Sequence, residues 1–203
     1  MGGFMYEFKD LTRVTTVAVT AVAIYLMTDI LTSSAMLALG PSAPDEFGLV
    51  DWLGVPQFIA VLTAYFVVGR WIYRASANAH AITDEMIISP GWAVGWYFVP
   101  FANLVKPFQA MKEIWLASHR AGAGYEPRGS AILGWWWGLW LLSNMLGNAS
   151  FRMEMRDGTD PQTLTTLYLV STAINIPLSI LLIMIMREIA NAQRGGIYEE
   201  VFA

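Results

Sequence analysis

Cysteine is absent from the 203-residue chain. Its absence removes disulfide frameworks, thiolate-bound zinc, iron–sulfur clusters and a cysteine nucleophile together. Histidine is nearly as scarce. His80 and His119 stand alone without metal-ligand spacing, so both read as solvated side chains and no metal site is predicted. Charge is thin as well, at 14% Asp, Glu, Lys and Arg with a formal net charge of −4. No dense Lys/Arg cluster exists, which sets aside nucleic acid and a polybasic lipid switch. The chain also lacks a glycine-rich nucleotide loop and a nucleophile elbow, so an enzyme is the less favoured reading and no cofactor is expected, and the lack of an internal repeat weakens an alternating-access carrier.

What the chain has is apolar surface: 56% hydrophobic residues, nine tryptophans and a positive mean hydropathy. Those values belong to an integral membrane protein. Four apolar runs predict transmembrane helices at about residues 12–39, 52–74, 130–151 and 161–186. Asp10 or Thr12 caps the first, and Gly40-Pro41 closes it. The second is expected to run on into water as far as Asn78 or His80. Asp160-Pro161 opens the fourth, whose helix should stop near Gly195-Gly196. The first run is too long for a signal-peptide core, and Tyr6 stands where myristoylation wants Ser or Thr, so the first helix is expected to be retained.

Between the second and third runs lies Ser89-Pro-Gly-Trp-Ala-Val-Gly-Trp-Tyr-Phe-Val-Pro-Phe-Ala-Asn-Leu-Val-Lys-Pro107, apolar yet interrupted by prolines, an asparagine and a lysine. Its topology follows from counting basic residues. If residues 90–107 dip in and return, Lys9, Arg13, Arg70, Arg74, Lys106, Lys112, Arg120, Arg128, Arg187 and Arg194 share the inner side, leaving Arg152 and Arg156 outside. If the segment spans, the division becomes six to six. The first arrangement obeys the positive-inside rule. Length agrees, because Pro90 to Val99 makes about 15 Å of helix, half the hydrocarbon thickness. Residues 104–120 then read as an amphipathic helix at the inner interface, with Leu104, Phe108, Met111 and Trp115 among its apolar positions. The expected fold is an all-α integral membrane protein, one domain over 1–203, with four transmembrane helices, a re-entrant broken hairpin and both termini cytoplasmic.

Three groups of residues are candidate sites. At the break, Pro100 removes a backbone donor, Asn103 is placed to replace it or cap the next helix, and Lys106 follows where an ammonium meets a lipid phosphate or a carboxylate. In the first span Asp29 needs a partner or a proton, and Gln57, Asn144 and Asn175 lie at depths from which an amide reaches it. An interhelical clamp and a proton relay are the two readings of Asp29. On the third span Ser130, Gly134 and Gly138 form a ridge of small residues suited to close helix approach, within the fold or in a homo-oligomer. Trp135, Trp136, Trp137 and Trp140 cannot share one helical face, and they read as an aromatic belt. Asp157-Gly158-Thr159-Asp160 has the start of a calcium loop without its later ligands, which leaves a turn and a cap.

The segment Arg70-Trp-Ile-Tyr-Arg-Ala-Ser-Ala-Asn-Ala-His80, the stretch from Ser89 to Asn103, and Lys106-Pro-Phe-Gln-Ala-Met-Lys-Glu-Ile-Trp115 together resemble the bacterial family called domain of unknown function 4328. The resemblance implies a multi-pass protein of the bacterial inner membrane with no established activity, and it carries over no catalytic residue. The function expected from the residues is non-enzymatic: binding of membrane lipid or of another membrane protein through the broken hairpin. The alternative is a small transporter or channel-like protein with an anion site at Pro100, Asn103 and Lys106 and a proton at Asp29. A lipid-acting enzyme ranks last, because Lys106 and Glu113 lie two helical turns apart and form no direct acid–base pair.

Overall fold

The computed structural model describes residues 6–40, 47–120, 131–156 and 160–202. Every element among them is helical: α1 (Thr12–Leu39), α2 (Leu49–Ile82), α3 (Pro90–Gly95), α4 (Lys106–Arg120), α5 (Ala131–Glu154) and α6 (Pro161–Phe202). Two short 3₁₀ turns, Trp96–Phe98 and Ala102–Leu104, lie between α3 and α4.

Local chemistry sets most of the ends. The Thr12 backbone N–H and hydroxyl both donate to Asp10 Oδ1, at 3.1 and 2.7 Å, and open α1. Gly40 closes it at a φ of 74°, with its N–H on the Met36 carbonyl at 3.0 Å. Asp160 Oδ2 accepts the Thr163 N–H at 3.2 Å where α6 begins. Two ends depart from the sequence reading. α2 does not enter water after Arg74, because Ala75, Ser76, Ala77, Asn78 and Ala79 are all buried. Their small side chains let neighbouring segments close over this helical stretch. α6 also passes through Gly195-Gly196 to Phe202. Each glycine costs about 1 kcal/mol against alanine in a helix, which weakens the helix there without requiring a stop.

Among the described residues three helical stretches are long and apolar enough to cross a membrane: Thr12–Leu39, Leu49–Ile82 and Pro161–Gly195. The 24 residues of α5 make about 36 Å of helix, long enough to span. Its four tryptophans, Ser143, Asn144 and Asn148 lower its hydropathy, and it does not join that set.

The chain divides into two compact units. Unit 1 comprises Met1–Val19, Phe66–Trp135 and Ile183–Ala203, and unit 2 comprises Thr20–Tyr65 and Trp136–Leu182. Unit 1 thus holds the N-terminal end of α1, the C-terminal part of α2, all of α3 and α4, the first residues of α5 and the C-terminal part of α6. Its core includes Trp71, Met111, Ile114, Leu133, Ile185, Met186 and Ile189, each almost wholly buried. The apolar stripe of α4 lies in that core, while Gln109 and Lys112 stay exposed.

Candidate functional site

The stretch between α3 and α4 is a broken hairpin built by its prolines. Ser89 is extended, and Pro90 starts α3 with its fixed φ. Six residues later the helix tightens into the Trp96–Phe98 turn, and Val99 leaves helical geometry at φ −94°, ψ 115°. The residue before a proline is pushed toward extended backbone, which is why the break falls at Val99. The Ala102 N–H then reaches back to the Pro100 carbonyl at 2.7 Å. This bond encloses Phe101 at φ 62°, ψ −41°, an uncommon and strained γ-turn geometry. A bulky residue held there costs about 1–3 kcal/mol.

Backbone bonds, rather than the Asn103 side chain, close the break. Val99 N–H donates to the Trp96 carbonyl at 3.4 Å, and Asn103 N–H donates to Val99 at 2.9 Å. Asn103 lies inside the second 3₁₀ turn, and α4 begins three residues later at Lys106. Lys106 Nζ donates to Gln109 Oε1 at 3.1 Å. The tip is apolar and open: Phe98 is 81% and Phe101 86% exposed, with Leu104 and Val105 half exposed. Trp92 and Trp96 stack at 4.5 Å. A Cβ on Gly95 would come within 3.1 Å of the Trp92 ring, so this position needs glycine unless the ring moves.

The base of the hairpin is held from two helices. Glu113 Oε2 on α4 accepts the N–H groups of Ile87 and Ile88 at 3.2 and 3.0 Å. His80 Nε2 on α2 lies 3.0 Å from the Ile88 carbonyl, which can only accept, so Nε2 carries the proton. Neither Glu113 nor His80 emerges from the sequence as a positioning residue, because the contacts join segments far apart in the chain.

Also in unit 1 lies a buried polar cluster that sequence reasoning missed. Asn78 pairs with the Lys9 backbone twice, accepting its N–H at 3.1 Å and donating to its carbonyl at 2.8 Å. Its other amide proton goes to Gln193 Oε1 at 2.9 Å. Gln193 donates to the Ala75 carbonyl at 3.0 Å and to Ser118 Oγ at 2.9 Å, and Ser118 donates to the Ile114 carbonyl at 2.7 Å. All four amide protons are used. His119, next to Ser118, is buried rather than solvated: Nδ1 donates to the Trp115 carbonyl at 2.7 Å, and Nε2 lies 3.9 Å from Glu188 Oε1.

In unit 2, Asp29 on α1 is buried and accepts from two amides. Gln57 Nε2 on α2 donates to Oδ1 at 2.8 Å, and Asn175 Nδ2 on α6 donates to Oδ2 at 3.3 Å. Ser143 on α5 donates to Asn175 Oδ1 at 2.8 Å, so three helices meet at the carboxylate and a fourth joins through the Asn175 amide. One turn along, Ser33 and Thr172 share a hydrogen bond of 2.6 Å. Asn144 does not join them. Its amide donates to the Trp140 carbonyl of its own helix at 2.8 Å.

The small-residue ridge is open at its described positions. A Cβ added at Gly134 or at Gly138 would meet no atom within 4 Å, and Ser130 lies outside the described residues, as does the turn at 157–159. The α5 tryptophans divide as their spacing requires: Trp135 is 72% exposed, whereas Trp136 and Trp137 are buried. Among the described residues no three His, Asp or Glu side chains are grouped to hold a metal.

No curated protein and no solved structure matches the chain. A family model described as "Domain of unknown function (DUF4328)" matches residues 45–191, a stretch that takes in α2, the whole hairpin, α4, α5 and most of α6. The chain therefore belongs to the DUF4328 family.

Proposed function

We propose that the protein is a non-enzymatic, single-domain membrane protein of the bacterial inner membrane that engages lipid through the hairpin at residues 90–107. In this reading α1, α2, α5 and α6 all span, the hairpin enters the cytoplasmic leaflet and returns, and both termini are cytoplasmic. The observation that carries it is Phe101, a large apolar side chain held at a strained positive φ and left 86% exposed at the tip. Strain retained at such a position is a reason to look for a function of the ring itself. Lipid acyl chains supply the apolar surroundings that the protein does not.

Charge supports the same topology. Of the described basic residues, Lys9, Arg13, Arg70, Arg74, Lys106, Lys112, Arg120, Arg187 and Arg194 belong to unit 1, and Arg152 and Arg156 belong to unit 2. Unit 1 is then the cytoplasmic-side unit by the positive-inside rule. It also contains both the end of α2 and the start of α5, as a segment that leaves and re-enters one side requires. Asp29 serves as an interhelical clamp in this reading, since two amides occupy its oxygens.

Because native cysteine is absent, single cysteines test these statements without background. In intact cells Ser42→Cys reacts with an impermeant maleimide and Ala121→Cys does not; labelling of both overturns the topology. A bimane attached at Phe101→Cys is quenched by brominated acyl chains, and a fluorophore indifferent to them overturns insertion. Phe101→Gly relieves the turn strain, so in detergent it raises stability by about 1 kcal/mol.

A further inference from the structure

Beyond lipid engagement, the hairpin carries its own headgroup chemistry. We infer that it selects an anionic phospholipid leaflet, with Lys106 and Lys112 as the residues that read the phosphate charge; this rests on the insertion reading above. The apolar tip at Phe98 and Phe101 gives way to half-exposed Leu104 and Val105 and then to Lys106, and Lys112 follows about 9 Å further along α4. That order, apolar then cationic, matches the order of acyl chain and phosphate met by an inserted segment.

The two charges are uncompensated. Among the described residues no carboxylate lies within 4.0 Å of either ammonium. Lys106 is held by the neutral Gln109 amide. The one acid on α4, Glu113, is occupied by the Ile87 and Ile88 N–H groups instead of by a lysine. Its use as the hairpin's hinge pin therefore leaves the exposed strip of α4 cationic. The α4 apolar face is buried in unit 1, which leaves the tip and this strip as the parts of the segment that meet a leaflet.

The test uses the full-length protein in nanodiscs containing equal phosphatidylglycerol and phosphatidylcholine, with retained lipid read by native mass spectrometry. The wild type retains phosphatidylglycerol in preference. Lys106→Gln and Lys112→Gln each reduce that preference by about fivefold. The control Arg187→Gln removes the same single charge elsewhere in unit 1 and leaves the preference in place. Both lysines lie on the α4 surface, and melting of each variant in detergent confirms folding. Equal retention of the two lipids, an unchanged preference in the lysine variants, an equal loss in the control, or a stoichiometric protein held at the hairpin in place of lipid overturns the inference. Quenching of the Phe101→Cys bimane by brominated phosphatidylcholine separates the two levels. If quenching persists while the preference is absent, insertion stands and headgroup selection falls.

Discussion

Unit 1 and unit 2 each bury a polar cluster, and the two solve the same problem with different chemistry. In unit 1, Asn78, Gln193 and Ser118 carry no charge and all their donors are used, two on one another and three on the Lys9, Ala75 and Ile114 carbonyls. In unit 2 the central group is an acid, and two amides are spent on its oxygens. A neutral cluster can be complete with short bonds, as the 2.7–3.1 Å distances of unit 1 are. The Asp29 carboxylate itself accepts one short bond and one of 3.3 Å. An unsatisfied buried group costs more than a made bond contributes, so the more complete cluster is also the one that suffers more from losing its centre.

Gln193→Leu gives the largest expected effect. It strands an Asn78 proton and takes a donor from both the Ala75 carbonyl and Ser118 Oγ, and it lowers stability by about 2–4 kcal/mol, read as unfolding in detergent. A loss below about 1 kcal/mol would show that water replaces the amide and that the cluster is not closed. Asn175→Leu is expected to cost less, about 1–2 kcal/mol, because it removes the long bond to Asp29 and frees Ser143. Pairing it with Asp29→Asn sharpens the comparison. In a double-mutant cycle the two couple by about 1 kcal/mol if the acid and amide form one clamp, and their costs simply add if they do not.

The smallest effect concerns Asp10, whose carboxyl is held below its ordinary value of 3.8 chiefly by the Thr12 hydroxyl, with the Thr12 N–H next. A lowered value means the cap stabilises α1 above the unfolded pKa and is lost as pH falls through the folded one. Melting temperature should therefore decline as pH drops below about 4, and Asp10→Asn, which keeps an acceptor without the titration, should flatten that limb. An identical acid limb in the variant removes Asp10 from the account.

Legibility from sequence followed the range of each interaction. The break at Val99–Pro100 is legible because proline acts on its immediate neighbours, and Asp29 stands out because a carboxylate inside an apolar run is costly wherever its partners are. Two of the three amides suggested for it, Gln57 and Asn175, meet it; Asn144 satisfies itself one turn back, a local choice that depth counting does not see. Asn78 lay in a stretch that reads as helix leaving the membrane, with alanines and serine that suit water or close packing equally. Only the arrival of Lys9, Gln193 and their segments turned that stretch into core.

By itself the sequence determined the helical class, the apolar runs, both ends of α1, the start of α6 and the place where the hairpin breaks, because hydropathy, proline and capping chemistry act within a few residues. The tertiary structure alone decided that α4 buries its apolar stripe in protein, that Glu113 and His80 hold the hairpin's base, that His119 lies inside, and that the Phe101 ring stands exposed on strained backbone. Those outcomes depend on which distant segments reach a given side chain. Spacing along a chain carries no information about such meetings until the chain has folded.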